Sequence, residues 1–281
     1  MNCHINQPIQ SADWNGLRVW VIGASTGIGE SLALKLAALG SDVVLSARRR
    51  APLEAVATAC RARHPEGTFL ILPFDICDTS ATEQAVSAVK ATLGSVDIVI
   101  FNAGTYEATR IDTLTPDNAE RSLSINLLAP IKATGIIFPL LVAEPIASKP
   151  RGFAYVASVA GYRGLPRALT YGPGKAGLIS FAESLWVDLQ GMGLNTWVIN
   201  PGFVRTRLTA QNDFAMPAII EPDEAATAII KGFSRGAFEI HFPKRFTWFM
   251  KLMRILPTSL YLKMVRRLVP PLSSTSLASK E

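Results

Sequence analysis

The sequence predicts a doubly wound α/β fold, with a mostly parallel, seven-stranded sheet that carries helices on both faces. Seven short apolar segments of strand type alternate with segments in which apolar residues recur at helical spacing. Such alternation favours right-handed crossovers and a parallel sheet that is covered on both sides. The chain has 281 residues, 49% of them hydrophobic, and no Pro/Gly/Ser-rich linker divides residues 17–243. We therefore expect one large core in a single domain.

Each predicted strand is short and apolar, as expected of strands buried on both faces. The strands are predicted within LRVWVIG, DVVLSA, GTFLILPF, VDIVIFNAG, GFAYVAS, NTWVINPG and AFEIHF. Apolar residues at helical spacing and a closing glycine predict the first helix within IGESLALKLAALG. The other helices are predicted over residues 51–63, 79–92, 115–143, 169–190 and 222–233.

Charge divides the chain into a nearly neutral body and a basic end. The net charge is +6, yet residues 1–240 carry 20 Lys+Arg and 21 Asp+Glu, whereas residues 241–281 carry 8 and 1. The body therefore gives no electrostatic reason to expect nucleic acid. We divide the chain into an N-terminal arm, residues 1–16, the α/β domain, residues 17–243, and a basic amphipathic extension, residues 244–281.

Cysteine and histidine usage predicts an intracellular protein without a metal site. Cys3, Cys60 and Cys77 are an odd set without ligand spacing, which favours free thiols in a reducing, cytoplasmic compartment. The three histidines are also scattered, so no metal is expected. Residues 1–16 lack the basic start and apolar centre of a secretory signal.

A glycine-rich turn, GASTGIG, follows the first predicted strand and opens the first helix. Gly23 is expected at the sharp turn, Gly27 where a phosphate approaches, and Gly29 where the helix packs closely. The N-terminus of the helix would then attract the anion. The spacing differs from the common G-x-G-x-x-G, but it resembles the glycine motif of the classical short-chain dehydrogenase/reductase (SDR) family.

The resemblance continues at successive strand ends, in the order of the family, through FDICD, NAG, SINLLAP, VASVAG, YGPGK and NPGFVRT. It implies a Rossmann-like domain that binds a nicotinamide dinucleotide and interconverts a carbonyl and an alcohol. The catalytic residues that it implies are Asn126, Ser158, Tyr171 and Lys175. The cofactor contacts that it implies, beyond the arginines discussed below, are Gly23, Ser25, Thr26, Gly27, Ile28, Gly29, Asp75, Ile76, Asn102, Ala103, Gly104, Tyr171, Lys175, Pro201, Gly202, Val204 and Thr206.

Tyr171 and Lys175 are spaced to lie on one face of a helix. Reduction of a ketone leaves an alkoxide that needs an acid, and a nearby ammonium together with an oxidised nicotinamide would lower the pKa of a phenol from about 10. The resemblance implies that Tyr171 is the acid/base, that Lys175 lowers its pKa and holds the nicotinamide ribose, that Ser158 binds the substrate oxygen and that Asn126 orders a water relay. Residues 172–174, Gly-Pro-Gly, depart from the family pattern and would loosen the start of the helix.

The end of the second strand indicates which nucleotide binds. An acidic side chain there would bind the adenine ribose and repel a 2′-phosphate, whereas an arginine would pair with that phosphate. The sequence reads Ser46, Ala47 and then three arginines. We therefore predict NADP(H), with Arg48 as the main phosphate partner and Arg49 as the second. The alternative is a solvated basic turn.

The segment after Gly202 resembles in position the variable substrate lid of the family. Four of its apolar side chains are predicted to line a pocket for a hydrophobic, lipid-like carbonyl or alcohol, although core packing would also explain some of them: Phe203, Leu208, Phe214 and Met216. Three arginines are expected to be solvated or, as the alternative, to meet an anionic head group: Arg163, Arg205 and Arg207.

The C-terminal extension interleaves apolar and basic residues, and its charges interrupt every apolar run before the roughly 18 residues of a spanning helix. Pro257 is predicted to separate two short helices. Two interpretations stay open. The extension is either an interfacial structure on anionic lipid, with Trp248 at the boundary, or a helix pair that covers the substrate cleft or a subunit partner. The final SSTSLASKE is predicted to be disordered.

These observations predict an NADP(H)-dependent oxidoreductase that reduces its substrate in cells. The resemblance also implies a homodimer or homotetramer. Two alternatives are a non-catalytic, dinucleotide-binding sensor or scaffold at the inner face of a membrane, and an epimerase or dehydratase on the same scaffold. The four catalytic positions carry competent residue types, and no extra substrate-binding region of the epimerase kind is evident, so the oxidoreductase is favoured.

Overall fold

The computed structural model describes residues 6–144, 149–211 and 216–267. At its centre is a seven-stranded sheet in the order β3-β2-β1-β4-β5-β6-β7, with every neighbouring pair parallel. The predicted fold class is therefore confirmed. The strands are β1 (Arg18–Ile22), β2 (Asp42–Ala47), β3 (Phe69–Pro73), β4 (Ile98–Phe101), β5 (Gly152–Val156), β6 (Asn195–Pro201) and β7 (Glu239–Phe242).

The α-helices lie close to the predicted segments. They are α1 (Gly27–Ala38), α2 (Arg50–Arg61), α3 (Thr79–Leu93), α4 (Pro116–Leu123), α5 (Ala129–Leu141), α6 (Tyr171–Leu189), α7 (Pro222–Ser234), α8 (Lys244–Ile255) and α9 (Thr258–Arg266). One core cluster joins the sheet to α1, α2 and α7, and a second joins it to α3, α5 and α6. Both faces of the sheet are thus covered by helices, which explains the apolar strands.

The helix predicted as one segment over residues 115–143 is divided by a π-helical turn, Ser124–Leu128. It begins with a capping box, in which the Thr115 hydroxyl accepts from the Asn118 N–H at 3.2 Å and the Asn118 side chain accepts from the Thr115 N–H at 3.1 Å. By length and composition alone, the continuous run from 116 to 141 could cross a membrane. Its packing against α3 and α6 accounts for apolar residues in a core helix equally well.

The N-terminal arm, as far as it is described, packs into the core. Ile9 and Trp14 are fully buried, and the Trp14 ring meets the edge of Phe233 at a centroid distance of 5.4 Å. The predicted free thiol Cys3 lies outside the described residues, whereas Cys60 is buried and Cys77 exposed, and both are free.

The sheet order reverses between β1 and β4, because the chain runs from β1 outward to β3 on one side and from β4 outward to β7 on the other. A parallel sheet of this kind binds its ligand beyond the carboxyl ends of the strands at this point. Gly23 follows β1 and Asn102 follows β4, and the Asn102 amide donates to the Gly23 carbonyl at 2.8 Å. Two of the predicted motifs are therefore in direct contact at the reversal.

The C-terminal helices α8 and α9 fold back onto the α/β domain on either side of Pro257. The Arg163 guanidinium donates to the Leu256 carbonyl at 2.7 Å and to the Met253 carbonyl at 3.2 Å, and it lies 4.2 Å from the centroid of the buried Tyr261 ring. The Tyr261 hydroxyl in turn donates to the Gly164 carbonyl at 2.6 Å. The expectation of a solvated or head-group-binding Arg163 is thus wrong, because the carbonyls at the end of α8 need a donor. The predicted disordered end lies outside the described residues.

Candidate active site

A cleft of about 720 Å³ opens at the carboxyl ends of the strands. Most of the residues predicted from the sequence line it: Gly23, Ser25, Thr26, Ile28, Arg48, Arg49, Asp75, Ile76, Asn102, Ala103, Gly104, Ser158, Tyr171, Lys175, Pro201, Gly202, Val204 and Thr206. Three predicted residues, Gly27, Gly29 and Asn126, lie behind this wall instead of on it. The structure therefore brings the motifs of six strand ends together in one cavity.

The glycine turn after β1 leaves no room for side chains. Gly23 has a φ of +99°, and a Cβ there would lie 2.5 Å from the backbone nitrogen of Ala103. A Cβ on Gly29 would lie 2.1 Å from the Gly23 carbonyl oxygen. The turn can therefore close tightly against α1 and the strand end after β4 only because both positions are glycine. Gly27 is the first residue of α1.

The N-terminus of α1 opens onto the cleft without a side-chain cap. Thr26 precedes the helix and its side chain makes no capping hydrogen bond, so it satisfies none of the first amides of α1. Ser25, Thr26 and Ile28 line the cleft at this point. Free amide donors and the positive end of the helix dipole favour a negatively charged group.

The end of β2 places two arginines on the cleft. Arg48 and Arg49 are exposed and line it, whereas the Arg50 guanidinium lies 3.7 Å from the Glu54 carboxylate. The side chain of Ser46 is turned into the core, where its hydroxyl accepts from the Trp20 indole at 2.9 Å. Among the residues that line the cleft, Asp75 after β3 is the one carboxylate. The end of β2 is thus cationic.

At the other end of the cleft, Ser158 follows β5 and Tyr171 is the first residue of α6. The Ser158 hydroxyl accepts from the Ala160 N–H at 3.1 Å and hydrogen-bonds the Tyr171 phenol. The Lys175 ammonium donates to the Val156 carbonyl at 2.8 Å and lies 5.7 Å from the centroid of the Tyr171 ring. A hydroxyl, a phenol and an amine therefore converge on one wall.

Burial controls the protonation of this pair. It raises the pKa of Tyr171 to about 12, although the hydrogen bond with Ser158 opposes the shift, and it lowers the pKa of Lys175 to about 7. The sequence predicted a depressed pKa for the phenol, produced by the lysine and an oxidised nicotinamide. The side chains of the protein by themselves give the opposite direction, so at neutral pH the phenol holds its proton.

The buried lysine predicts a pH-dependent stability. The pKa of Lys175 is about 7 in the fold against an ordinary value of 10.5, so between these values the unfolded chain binds the extra proton and the fold gains about 1.4 kcal/mol per pH unit as pH rises. Lys175→Met removes this dependence. We expect its free energy of unfolding relative to the wild type, from urea titrations at pH 7 and pH 9, to fall by about 2 kcal/mol over that interval, because the folded Lys175 is still half protonated at pH 7. Lys90→Met, at an exposed position on α3, is the control, and an equal difference at both pH values would contradict the assignment.

Asn126 does not line the cleft, but it hydrogen-bonds the backbone of Thr105, which does. It is fully buried in the π-helical turn, and its side-chain amide donates to the carbonyls of Thr105 at 2.8 Å and Ser122 at 3.0 Å. Its side-chain oxygen accepts from the Thr105 N–H at 3.2 Å. A Cβ on Gly104 would lie 3.0 Å from that oxygen and 3.4 Å from the Lys175 ammonium. Asn126 therefore fixes the segment after β4 beside the lysine, and the water relay stays a prediction.

Tyr106 contacts the proposed catalytic tyrosine, although it is not among the residues that line the cleft, and the sequence reasoning missed it. Its ring meets the Tyr171 ring edge-on at 5.1 Å and adds to the rise of the Tyr171 pKa. Thr105, Ile125 and Arg121, which the sequence reasoning missed as well, line the cleft. Thr105 and Tyr106 come directly after the NAG motif, so their position in the sequence could have indicated them. Arg121 on α4 and Ile125 in the π-helical turn follow no strand end, so no motif indicated them.

The predicted substrate lid is only partly in the cleft. Leu208 and Arg207 line it, but the Phe203 ring packs against Phe246 of α8 at 5.5 Å and is not on its wall. Met216 is also absent from the lining residues, and Phe214 lies outside the described residues. Of the two interpretations of Phe203, the structure favours packing over a place in the pocket, because the returning C-terminal helix supplies an apolar neighbour. Arg205 is a surface residue, paired with Glu221 at 2.7 Å.

Comparison with known proteins identifies the family. A family model described as short chain dehydrogenase matches residues 18–216. The chain belongs to the short-chain dehydrogenase/reductase family. The family binds a nicotinamide dinucleotide, and the matched range contains all the catalytic and cofactor residues predicted from the sequence.

Curated relatives of this SDR protein differ in how much of them it spans. An uncharacterized oxidoreductase of Myxococcus xanthus is 34% identical over 249 residues, which are 88% of this chain and 96% of that one. Dehydrogenase/reductase SDR family member 7 of Mus musculus is 32% identical over 69% of this chain, which spans only 60% of the mouse protein. Ketoacyl reductase HetN of Nostoc is 28% identical over 80% of this chain and 78% of its own.

Solved structures show the same fold. An SDR protein of Burkholderia phymatum in complex with NAD has a TM-score of 0.78 at 18% identity, over 93% of this chain and 99% of its own. The 3-oxoacyl-[acyl-carrier protein] reductase of Brucella melitensis, also in complex with NAD, has a TM-score of 0.73 at 24% identity, over 81% of this chain and 95% of its own. At these identities the likeness concerns the fold.

Proposed function

We propose that this SDR protein is an NADP(H)-dependent oxidoreductase that interconverts a ketone or aldehyde and a secondary alcohol, by hydride transfer with Tyr171 as acid/base. The observation that carries the proposal is the convergence of Ser158, Tyr171 and Lys175 at one end of a cleft whose other end holds the α1 N-terminus and Arg48. An acid, a hydroxyl for the substrate oxygen and an anion site are the three parts that this reaction requires.

The cleft offers a partner for each part of the dinucleotide. The amides of α1 suit the diphosphate, and Arg48, with Arg49 beside it, suits a 2′-phosphate. The remaining contacts follow the family pattern, with Asp75 and Ile76 near adenine, Asn102, Ala103 and Gly104 along the cleft, Lys175 on the nicotinamide ribose, and Pro201, Gly202, Val204 and Thr206 near the nicotinamide and phosphates. When bound, the cofactor supplies the hydride for reduction or accepts it in oxidation.

The side chains of the protein handle the proton and the oxygen. In reduction, the Tyr171 phenol donates its proton to the oxygen of the substrate as negative charge develops there. The Ser158 hydroxyl donates a hydrogen bond to the same oxygen and shares the charge. Because burial keeps the pKa of Tyr171 near 12, the phenol holds its proton at neutral pH, which is the state that carbonyl reduction requires.

The substrate is proposed to be hydrophobic. Ile125, Ala157 and Leu208 are apolar residues of the cleft wall. A carbonyl substrate agrees with the names of the ketoacyl and 3-oxoacyl reductases among the relatives. A cytoplasmic location, on the cysteine usage, and a homodimer or homotetramer, on the family resemblance, are part of the same proposal.

The test is turnover by the purified full chain. NADPH and NADH consumption would be followed with steroids, quinones, aliphatic ketones and 3-oxoacyl esters. We expect turnover with at least one class and a preference for NADPH. Tight NADPH binding without turnover of any class would favour the sensor alternative, and product formation with no net cofactor consumption would favour the epimerase or dehydratase.

A further inference from the structure

The two C-terminal helices carry an exposed apolar surface. Among the described residues, twelve large apolar side chains are exposed, and seven of them lie on α8 and α9. These seven, which we call the outer face, are Trp248, Phe249, Leu252, Ile255, Leu260, Leu262 and Met264. Trp248, Leu252 and Ile255 are spaced i, i+4, i+7 and therefore share one side of α8, where they are 61%, 58% and 76% exposed. Clusters of this kind mark interaction sites.

The opposite side of α8 packs against the α/β domain. Met250 and Met253 are buried, and Thr247 hydrogen-bonds both the His241 ring at 2.6 Å and the Pro243 carbonyl at 3.0 Å. The Lys251 ammonium pairs with the Glu239 carboxylate at 2.6 Å. The helix is therefore held in this orientation and is apolar on both sides. A surface helix with only one covered side normally has a polar outer side, so this one needs a further apolar environment.

Charge decides what that environment is. Residues 244–267 contain seven Lys+Arg and no Asp or Glu. Lys251 pairs with Glu239 and lies 5.3 Å from the centroid of the Trp248 ring. The other six cations of α8, α9 and the residue after them are exposed: Lys244, Arg245, Arg254, Lys263, Arg266 and Arg267. A second copy of the chain would bring two such sets of cations together, which is repulsive. A bilayer with anionic lipids suits both the apolar side chains and the cations, since its acyl boundary accepts the former and its head groups pair with the latter.

We propose that the outer face of α8 and α9 is a docking surface for a membrane that contains anionic lipid. Trp248 has the amphipathic ring that favours the boundary between head groups and acyl chains. The exposed cations of both helices supply the attraction to the lipid charge, and the buried sides of both helices stay on the α/β domain. The protein therefore lies on the membrane surface through its C-terminal helices.

Docking in this way places the cleft beside the membrane. Gly202 lines the cleft, and a Cβ there would lie 2.7 Å from the ring of Phe246 on α8. Arg163, which holds the end of α8 and the ring of Tyr261, follows Ser158 by five residues in the sequence. One helix, about 10 Å across, thus separates the proposed lipid surface from the cleft wall. A hydrophobic substrate could pass between the two over a short distance.

The test is vesicle binding by the full chain, which needs no substrate and is independent of the proposed reaction. Sedimentation would be measured with vesicles of equal parts phosphatidylglycerol and phosphatidylcholine, and with phosphatidylcholine alone. We expect binding to the anionic vesicles that weakens with salt. The double variant Leu252→Ser/Ile255→Ser should bind at least about tenfold more weakly, since two apolar side chains leave the lipid. Lys263→Gln/Arg267→Gln should lose about fivefold for each charge.

Val187→Ser is the matched control, because Val187 is 67% exposed on α6, away from the outer face, and should bind vesicles like the wild type. All these positions are exposed, so the variants should fold, and unchanged thermal unfolding would verify this. Absence of vesicle binding by the wild type would overturn the proposal, as would binding that the Leu252 and Ile255 changes leave intact. A wild-type dimer in sedimentation velocity that the same double change converts to a monomer would assign the face to a second copy and would also overturn it.

Discussion

Tyr171→Phe is expected to lower the turnover number for carbonyl reduction by about 10²- to 10⁴-fold, the usual contribution of a positioned general acid. The substitution removes one oxygen from a side chain whose ring is held edge-on by Tyr106 at 5.1 Å, so the ring should stay in place. Without the phenol, the alkoxide must take its proton from water. Single-turnover kinetics with saturating NADPH would measure the loss at the chemical step.

The control for this prediction is Tyr106→Phe, which changes the neighbouring phenol and keeps both rings. Its hydroxyl contacts the Arg167 carbonyl at 3.4 Å, and Tyr106 is not among the residues that line the cleft, so this change should affect turnover much less. The dissociation constant for NADPH should be similar in the wild type and both variants. Near-normal turnover by Tyr171→Phe would remove Tyr171 from the role of acid.

Arg48→Ala is expected to lower the preference for NADPH over NADH, as a ratio of kcat/KM values, by about 10- to 100-fold. A hydrogen bond to a charged partner contributes about 1.5–3 kcal/mol, and about 1.4 kcal/mol corresponds to a factor of ten. The loss should appear mainly in the KM for NADPH, with the values for NADH unchanged, because only NADPH carries the 2′-phosphate. Arg49→Ala should have a smaller effect in the same direction.

Arg50→Ala provides a matched control in the same run of arginines. Its guanidinium faces Glu54 on α2 at 3.7 Å and is not among the residues that line the cleft. The cofactor preference should therefore survive this change. If Arg48→Ala and Arg50→Ala are indistinguishable, the basic turn is simply solvated and the nucleotide is selected elsewhere.

The parts of the site that the sequence predicted are those fixed by chain topology. In a parallel sheet every strand end lies on the same edge, so motifs that follow β1, β4 and β5 must meet, whatever the details of packing. Gly23 and Gly29 could also be interpreted locally, because a tight turn and a close approach exclude side chains. Most of the predicted residues accordingly line one cleft.

The parts that the sequence did not predict depend on contacts between distant segments. No local sequence pattern specifies the path of the C-terminal helices. That path determines the packing of Phe203 against Phe246 and the hydrogen bonds of Arg163 with the end of α8. The π-helical turn that holds Asn126 has the same apolar spacing as an ordinary helix, so it was included in one long segment. The high pKa of the Tyr171 phenol reflects burial, which the four-residue spacing to Lys175 does not reveal.

The central claim, hydride transfer between a nicotinamide cofactor and a carbonyl in this cleft, is tested most directly by following the hydride itself. The purified full chain would be incubated with NADPH deuterated at the transferable position and with the carbonyl panel, and the alcohols would be analysed by mass spectrometry. We predict one deuterium on the carbinol carbon of the product, formed about 10²- to 10⁴-fold more slowly with Tyr171→Phe. Tight binding of the labelled cofactor with no deuterated alcohol from any class would contradict the account.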